Sequence, residues 1–109
     1  MDKKLIVVIM GPGNKNFINM CYDSVKTADD VLYFSSNPKA IKDYLHIKVF
    51  DNFWDEKDKA TNGKARNLYL KELKEKYLGW ICLCLDEDEI LSENGINKIK
   101  EFIKNEKRN

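Results

Sequence analysis

Apolar residues in this chain fall into short blocks, separated by stretches that repeat at the helical period. Leu5-Ile6-Val7-Val8-Ile9-Met10 is unbroken and is closed by Gly11-Pro12-Gly13, which predicts a buried strand followed by a tight loop. Asn14 is placed to cap a helix in which Phe17, Cys21, Val25 and Ala28 recur at close to one turn. Val31-Leu32-Tyr33-Phe34 predicts a second buried strand. A short helix through Ala40, Ile41 and Tyr44 is expected after Pro38, which suits a first turn. His46-Ile47-Lys48-Val49-Phe50 alternates and predicts a third, more exposed strand. Asp51 to Asn62 has no clean period and reads as a long loop carrying Phe53 and Trp54. From Gly63 to Tyr77 the residues Ala65, Tyr69, Leu73 and Tyr77 are spaced four apart, with Leu68 and Leu70 beside them, so a helix is expected there.

The next block organises the rest. Trp80-Ile81-Cys82-Leu83-Cys84-Leu85 runs directly into Asp86-Glu87-Asp88-Glu89. The apolar half predicts a strand buried on both faces. Four adjacent acids cannot follow it into a core without a heavy desolvation cost, so all four are expected to emerge at the strand's C-terminal end. Ser92 is then placed to cap a last helix with the stripe Ile96, Ile99, Phe102 and Ile103. Alternation of strands and helices implies an α/β fold, a small three-layer Rossmann-like domain with a four-stranded parallel sheet and helices on both faces. A doubly wound sheet has the order 3-2-1-4. Its switch point lies between the first and fourth strands, beside Gly11-Pro12-Gly13 and the four acids, where open α/β sheets take ligands.

Composition narrows the classes. The 109 residues suit one domain, with 43% apolar residues supporting a folded core. The 19 basic and 18 acidic residues nearly cancel, which gives no electrostatic case for nucleic acid. No apolar run approaches the length of a membrane span, and no cleavage site follows Met1-Asp2-Lys3-Lys4. Cys21, Cys82 and Cys84 form no disulfide framework; free buried thiols in a reducing cytoplasm are expected, with metal ligation through Cys82 and Cys84 the alternative.

Candidate chemistry gathers at three places. The four acids offer hard oxygen donors suited to Mg²⁺ or Mn²⁺; a solvated acidic turn is the plain alternative. Lys64 and Arg66 stand in a helix first turn, where two cations fit an anion held at that terminus or arise from a lysine-rich composition. Gly11-Pro12-Gly13 lacks the spacing of a phosphate loop or a dinucleotide fingerprint and is either a ligand-lining loop or a simple turn. His46, the sole histidine, begins a strand without a partner nearby, so covalent hydrolase chemistry has no support.

The tract Asn62-Gly63-Lys64-Ala65-Arg66-Asn67, followed by a helix and then by Trp80 through Leu85, Asp86-Glu87-Asp88-Glu89 and Ile90-Leu91, resembles family 2 glycosyltransferases of the GT-A fold. The first strand with its loop and Tyr22-Asp23-Ser24-Val25 are similar to the opening of that fold. The resemblance implies a nucleotide-diphosphate-sugar-binding domain over 1–109, the acceptor half lying outside it. Asp86 and Asp88 then match the Asp-x-Asp element, the first meeting the ribose or donor sugar and the second a Mn²⁺ or Mg²⁺ on the diphosphate. Arg66, with Lys64 beside it, approaches the nucleotide, and Gly11, Pro12 and Gly13 line base and ribose. Where the family carries an acid that reads uracil, this chain has Ser35, Ser36 and Asn37; Ser36 is the candidate there, and a UDP-sugar the expected donor. The rival readings are a non-catalytic nucleotide or metal-binding module acting with a partner chain, and a receiver-type domain with an acidic Mg²⁺ pocket. The free edge of the fourth strand is expected to be covered by the last helix or by a second copy.

Overall fold

The computed structural model describes residues 3–37, 47–51 and 61–106. The elements are β1 (Leu5–Gly11), α1 (Lys15–Val25), β2 (Asp30–Ser35), β3 (Lys48–Asp51), α2 (Thr61–Lys76), β4 (Ile81–Asp86) and α3 (Gly95–Glu106). The expected helix around Ala40, the residue His46, and Phe53 and Trp54 of the expected loop lie outside the described residues.

All strand pairs are parallel and the order is β3-β2-β1-β4, as a doubly wound reading requires. Alternation along β1 sends Leu5, Val7 and Ile9 to one face and Ile6 and Val8 to the other. The first face packs against Ile18, Cys21 and Val25 of α1 and Ile96, Ile99 and Ile103 of α3; the second meets Leu68, Tyr69 and Leu73 of α2. Both faces of β1 are therefore dry, which is why its apolar run has no polar interruption.

Asn14 caps α1: its Oδ1 accepts from the backbone N–H of Asn16 at 3.0 Å and of Phe17 at 3.2 Å. Three details differ from the sequence expectation. In α1 Ile18 is buried and Phe17 is exposed, because a contact one turn before Cys21 falls three residues back rather than four. Ser92 does not begin α3. Its carbonyl accepts from Gly95 N–H, and Asn94, at φ 60°, turns the chain into a helix that starts at Gly95. In that helix Ile96 and Ile103 are buried while Phe102 is exposed.

β4 departs further. Leu85 is buried and Ile81 and Leu83 partly so, but Cys82, Cys84 and Asp86 on the alternate face are exposed. The strand is buried on one face rather than two. Its place at the sheet edge leaves this face only partly covered by α2, whose apolar side chains join Ile6, Val8, Leu32 and Phe34 of β1 and β2, with Tyr69 and Arg66 reaching Cys84. Of the three free cysteines only Cys21 is buried.

Candidate functional site

The C-terminal edge of the sheet brings Ser35, Gly11 and Asp86 side by side, since Gly11 pairs with Ser35 and Met10 with Asp86. Ser36 N–H donates to the Gly11 carbonyl at 3.2 Å, and Glu87 N–H donates to the Met10 carbonyl at 2.8 Å. The glycine loop and the acidic tract are thus neighbours, as the strand order implied.

The four acids do not share one environment. Asp86 O accepts from Glu89 N–H at 2.9 Å, so the tract is a tight turn. Glu89 also returns its carboxylate to the Asp86 N–H at 2.7 Å. Asp86, Asp88 and Glu89 face outward, whereas Glu87 is only 2% exposed. The expectation that every acid leaves the core is therefore corrected at Glu87. Its Oε1 accepts from Gly13 N–H at 2.8 Å, and its Oε2 accepts from Asn14 N–H at 3.0 Å and from the Tyr33 hydroxyl at 2.9 Å. Three donors around one carboxylate offset the desolvation that an unpaired acid would suffer.

Glu87 explains Gly11. A Cβ at residue 11 would overlap the Glu87 carboxylate, so no side chain fits where the acid enters. Gly13 has φ +93°, and a Cβ there would meet Ser35 Oγ at 2.9 Å and the Asn37 carbonyl at 3.1 Å. The amides just ahead of α1, where an anion from outside would otherwise be favoured, are occupied by the protein's own carboxylate. Within the Gly11–Gly13 loop Pro12 is exposed, while Gly11 and Gly13 are half-buried. Tyr33 is held protonated: burial first, then the neighbouring Glu87, push its hydroxyl well above its ordinary range. Cys21 lies under the same turn, and burial together with Glu89, Glu87 and Asp88 raises its thiol to about 11.

Lys64 and Arg66 are exposed near the start of α2, with Ala65 buried between them. Arg66 acts on the β4 face that carries Asp86. The Cys82 thiol above all, then the Tyr69 hydroxyl and the Arg66 charge, outweigh partial burial and hold Cys84 below the ordinary thiol range. Arg66 forms no ion pair with Asp86 or Asp88 among the described residues.

As a cation site, Asp86 and Asp88 supply two outward carboxylates on one turn. Among the described residues no group of three or more His, Cys, Asp or Glu side chains converges on a metal position. Such a pair fits a Mg²⁺- or Mn²⁺-class ion that takes its remaining oxygens from phosphate and water, the usual manner of binding at nucleotide sites. It does not fit an ion caged by protein alone.

Sequence reasoning missed two residues. Glu87 was signalled by period two: continuing Ile81, Leu83 and Leu85 inward leads to it. Ser24 accepts from Leu91 N–H at 3.2 Å and donates to the Cys21 carbonyl at 2.7 Å, fastening the segment after the acids to α1. Nothing local in the sequence announces that contact. Compared with known protein families, curated proteins and solved structures, the chain matches none.

Proposed function

We propose that this chain binds a nucleotide-diphosphate sugar together with a divalent cation, in the manner of the donor half of a GT-A glycosyltransferase, glycosyl transfer being the reaction class. One observation carries the reading. At the switch point of a 3-2-1-4 parallel sheet, two outward carboxylates, Asp86 and Asp88, adjoin the Gly11–Gly13 loop. Ligands of open α/β sheets bind at that edge.

In this reading Asp88, with Asp86, holds Mn²⁺ or Mg²⁺, and the ligand's diphosphate supplies the further oxygens that the protein does not. A bound cation offsets the negative charge that grows on a departing nucleoside diphosphate. Asp86 meets the ribose or donor sugar, and Arg66 and Lys64 add positive charge from the α2 side. Pro12 and Ser36 border the nucleoside, and a UDP-sugar is the donor to try first. Glu87 takes no part in the chemistry; it fixes the β1–α1 loop against the acidic turn so that the outward acids keep their place. A cytoplasmic setting, suited to three free thiols, and a second chain added along β4, which pairs only with β1 among the described residues, belong to the same reading.

The test is thermal unfolding with UDP-, GDP- and CDP-sugars, each with and without Mn²⁺. A ligand at a hundred times its Kd stabilises the folded state by about 2.7 kcal/mol, a clear rise in Tm. A rise that needs both the sugar nucleotide and Mn²⁺ supports the reading; an unchanged Tm in every combination overturns it.

A further inference from the structure

β4 turns Cys82 and Cys84 to the same sheet face, and both are exposed there. Their sulfurs stand 3.7 Å apart. Two chemistries suit a pair of thiols at that distance, and strand geometry decides between them. An extended chain rises about 3.3 Å per residue, so the Cβ atoms of residues two apart are separated by about 6.6 Å. A disulfide needs its Cβ atoms within about 4.5 Å. Oxidative closure would therefore pull β4 out of its ladder with β1, which pairs Ile6 with Cys82 and Val8 with Cys84.

Bridging by an ion requires no such movement. Two sulfurs bound at about 2.3 Å to a tetrahedral zinc centre lie about 3.8 Å apart, a span the pair already meets. Thiolates are soft ligands that select zinc-class ions, whereas carboxylates suit Mg²⁺ and Mn²⁺. The sulfur pair and the Asp86–Asp88 pair thus discriminate between ions even though they occupy the same strand and turn. The geometry points to a second cation site on this chain, in which Cys82 and Cys84 chelate a thiophilic d¹⁰ cation such as Zn²⁺ on the exposed face of β4, beside Tyr69 of α2, with water completing the coordination. A pair of protein donors makes this an open, exchangeable site rather than a closed structural one. It stands independently of the nucleotide reading, because neither sulfur is assigned to the sugar nucleotide.

The experiment uses the reduced full chain and metal alone, without nucleotide. Cd²⁺ is titrated while thiolate-to-metal charge-transfer absorption is followed, and Zn²⁺ affinity is measured by competition with a chromophoric chelator. The expected result is a charge-transfer band saturating at about one Cd²⁺ per chain and undiminished by excess Mg²⁺. Zn²⁺ affinity should fall at least about tenfold in Cys82→Ser and in Cys84→Ser, with circular dichroism unchanged. A parent chain without the band, or a C82S/C84S double variant that keeps it, overturns the proposal. Retained affinity in both single variants does so equally.

Discussion

The Tyr33 hydroxyl donates to Glu87 Oε2 at 2.9 Å across 54 positions of sequence, inside the core. That bond joins the middle of β2 to the turn after β4, and through Gly13 and Asn14 the same carboxylate holds the entrance of α1. Three segments that the chain order keeps apart are fixed by one acid, which places the outward acids on either side of it.

Removing either partner should cost stability in a coupled way. Tyr33→Phe leaves one carboxylate oxygen short of a donor, and Glu87→Gln turns an acceptor into an amide facing N–H groups. Each is expected to cost about 1.5–3 kcal/mol, the range for hydrogen bonds to charged groups. Urea unfolding of both variants and of the double variant should give a coupling energy of at least about 0.5 kcal/mol. Strict additivity would show that the bond contributes nothing.

Gly11→Ala should be costly although alanine is a small residue, because the added methyl enters the space of the Glu87 carboxylate. Overpacking of this kind costs about 1–3 kcal/mol. Gly63→Ala, where a Cβ meets nothing within 4 Å, serves as the comparison and should be neutral or mildly stabilising, since alanine favours helix. Equal unfolding midpoints for the two variants would contradict the packing assigned to Gly11.

Stability should fall in alkali. Cys21 has its folded value raised from 9.0 to about 11, and Tyr33 is raised above its ordinary 10.0. For an acid whose folded value is raised, the contribution is whole below the unfolded value and is lost as pH climbs through the folded one, because the unfolded chain releases its proton first. The Cys21 and Tyr33 contributions should therefore be whole up to about pH 9, and unfolding midpoints should decline above it. In Tyr33→Phe the decline above about pH 10 should be shallower. An identical alkaline slope in parent and variant would remove Tyr33 from the explanation.

The sheet is readable from the apolar runs because β1 and β2 are dry on both sides, so their composition reports burial directly. The stripe of Ala65, Leu68, Tyr69, Leu73 and Tyr77 likewise places α2. What escapes is tertiary. The exposure of Cys82 and Cys84 depends on where α2 lies across the sheet, and no residue of β4 records that. Glu87 looks like its three neighbours until the partners Gly13, Asn14 and Tyr33 are known. Phe17 and Phe102 carry the apolar character of core residues and yet face solvent, since a turn of about 3.6 residues lets counts by three or by four drift off the buried face. At the candidate site, the adjacency of the Gly11 loop and the acids follows from strand order. The division of those acids into one inward and three outward does not.

Cation-dependent binding at the outward acids is measured by calorimetric titration of UDP-sugar into the chain with Mn²⁺ present, for the parent and for Asp88→Asn. Asp88 is exposed and makes no hydrogen bond or ion pair among the described residues, so the variant should keep its circular dichroism and Tm. A saturable, Mn²⁺-dependent heat is expected in the parent, and an affinity at least about tenfold weaker in the variant, a loss of about 1.4 kcal/mol. No heat in the parent, or the same affinity in both chains, would contradict binding at these acids.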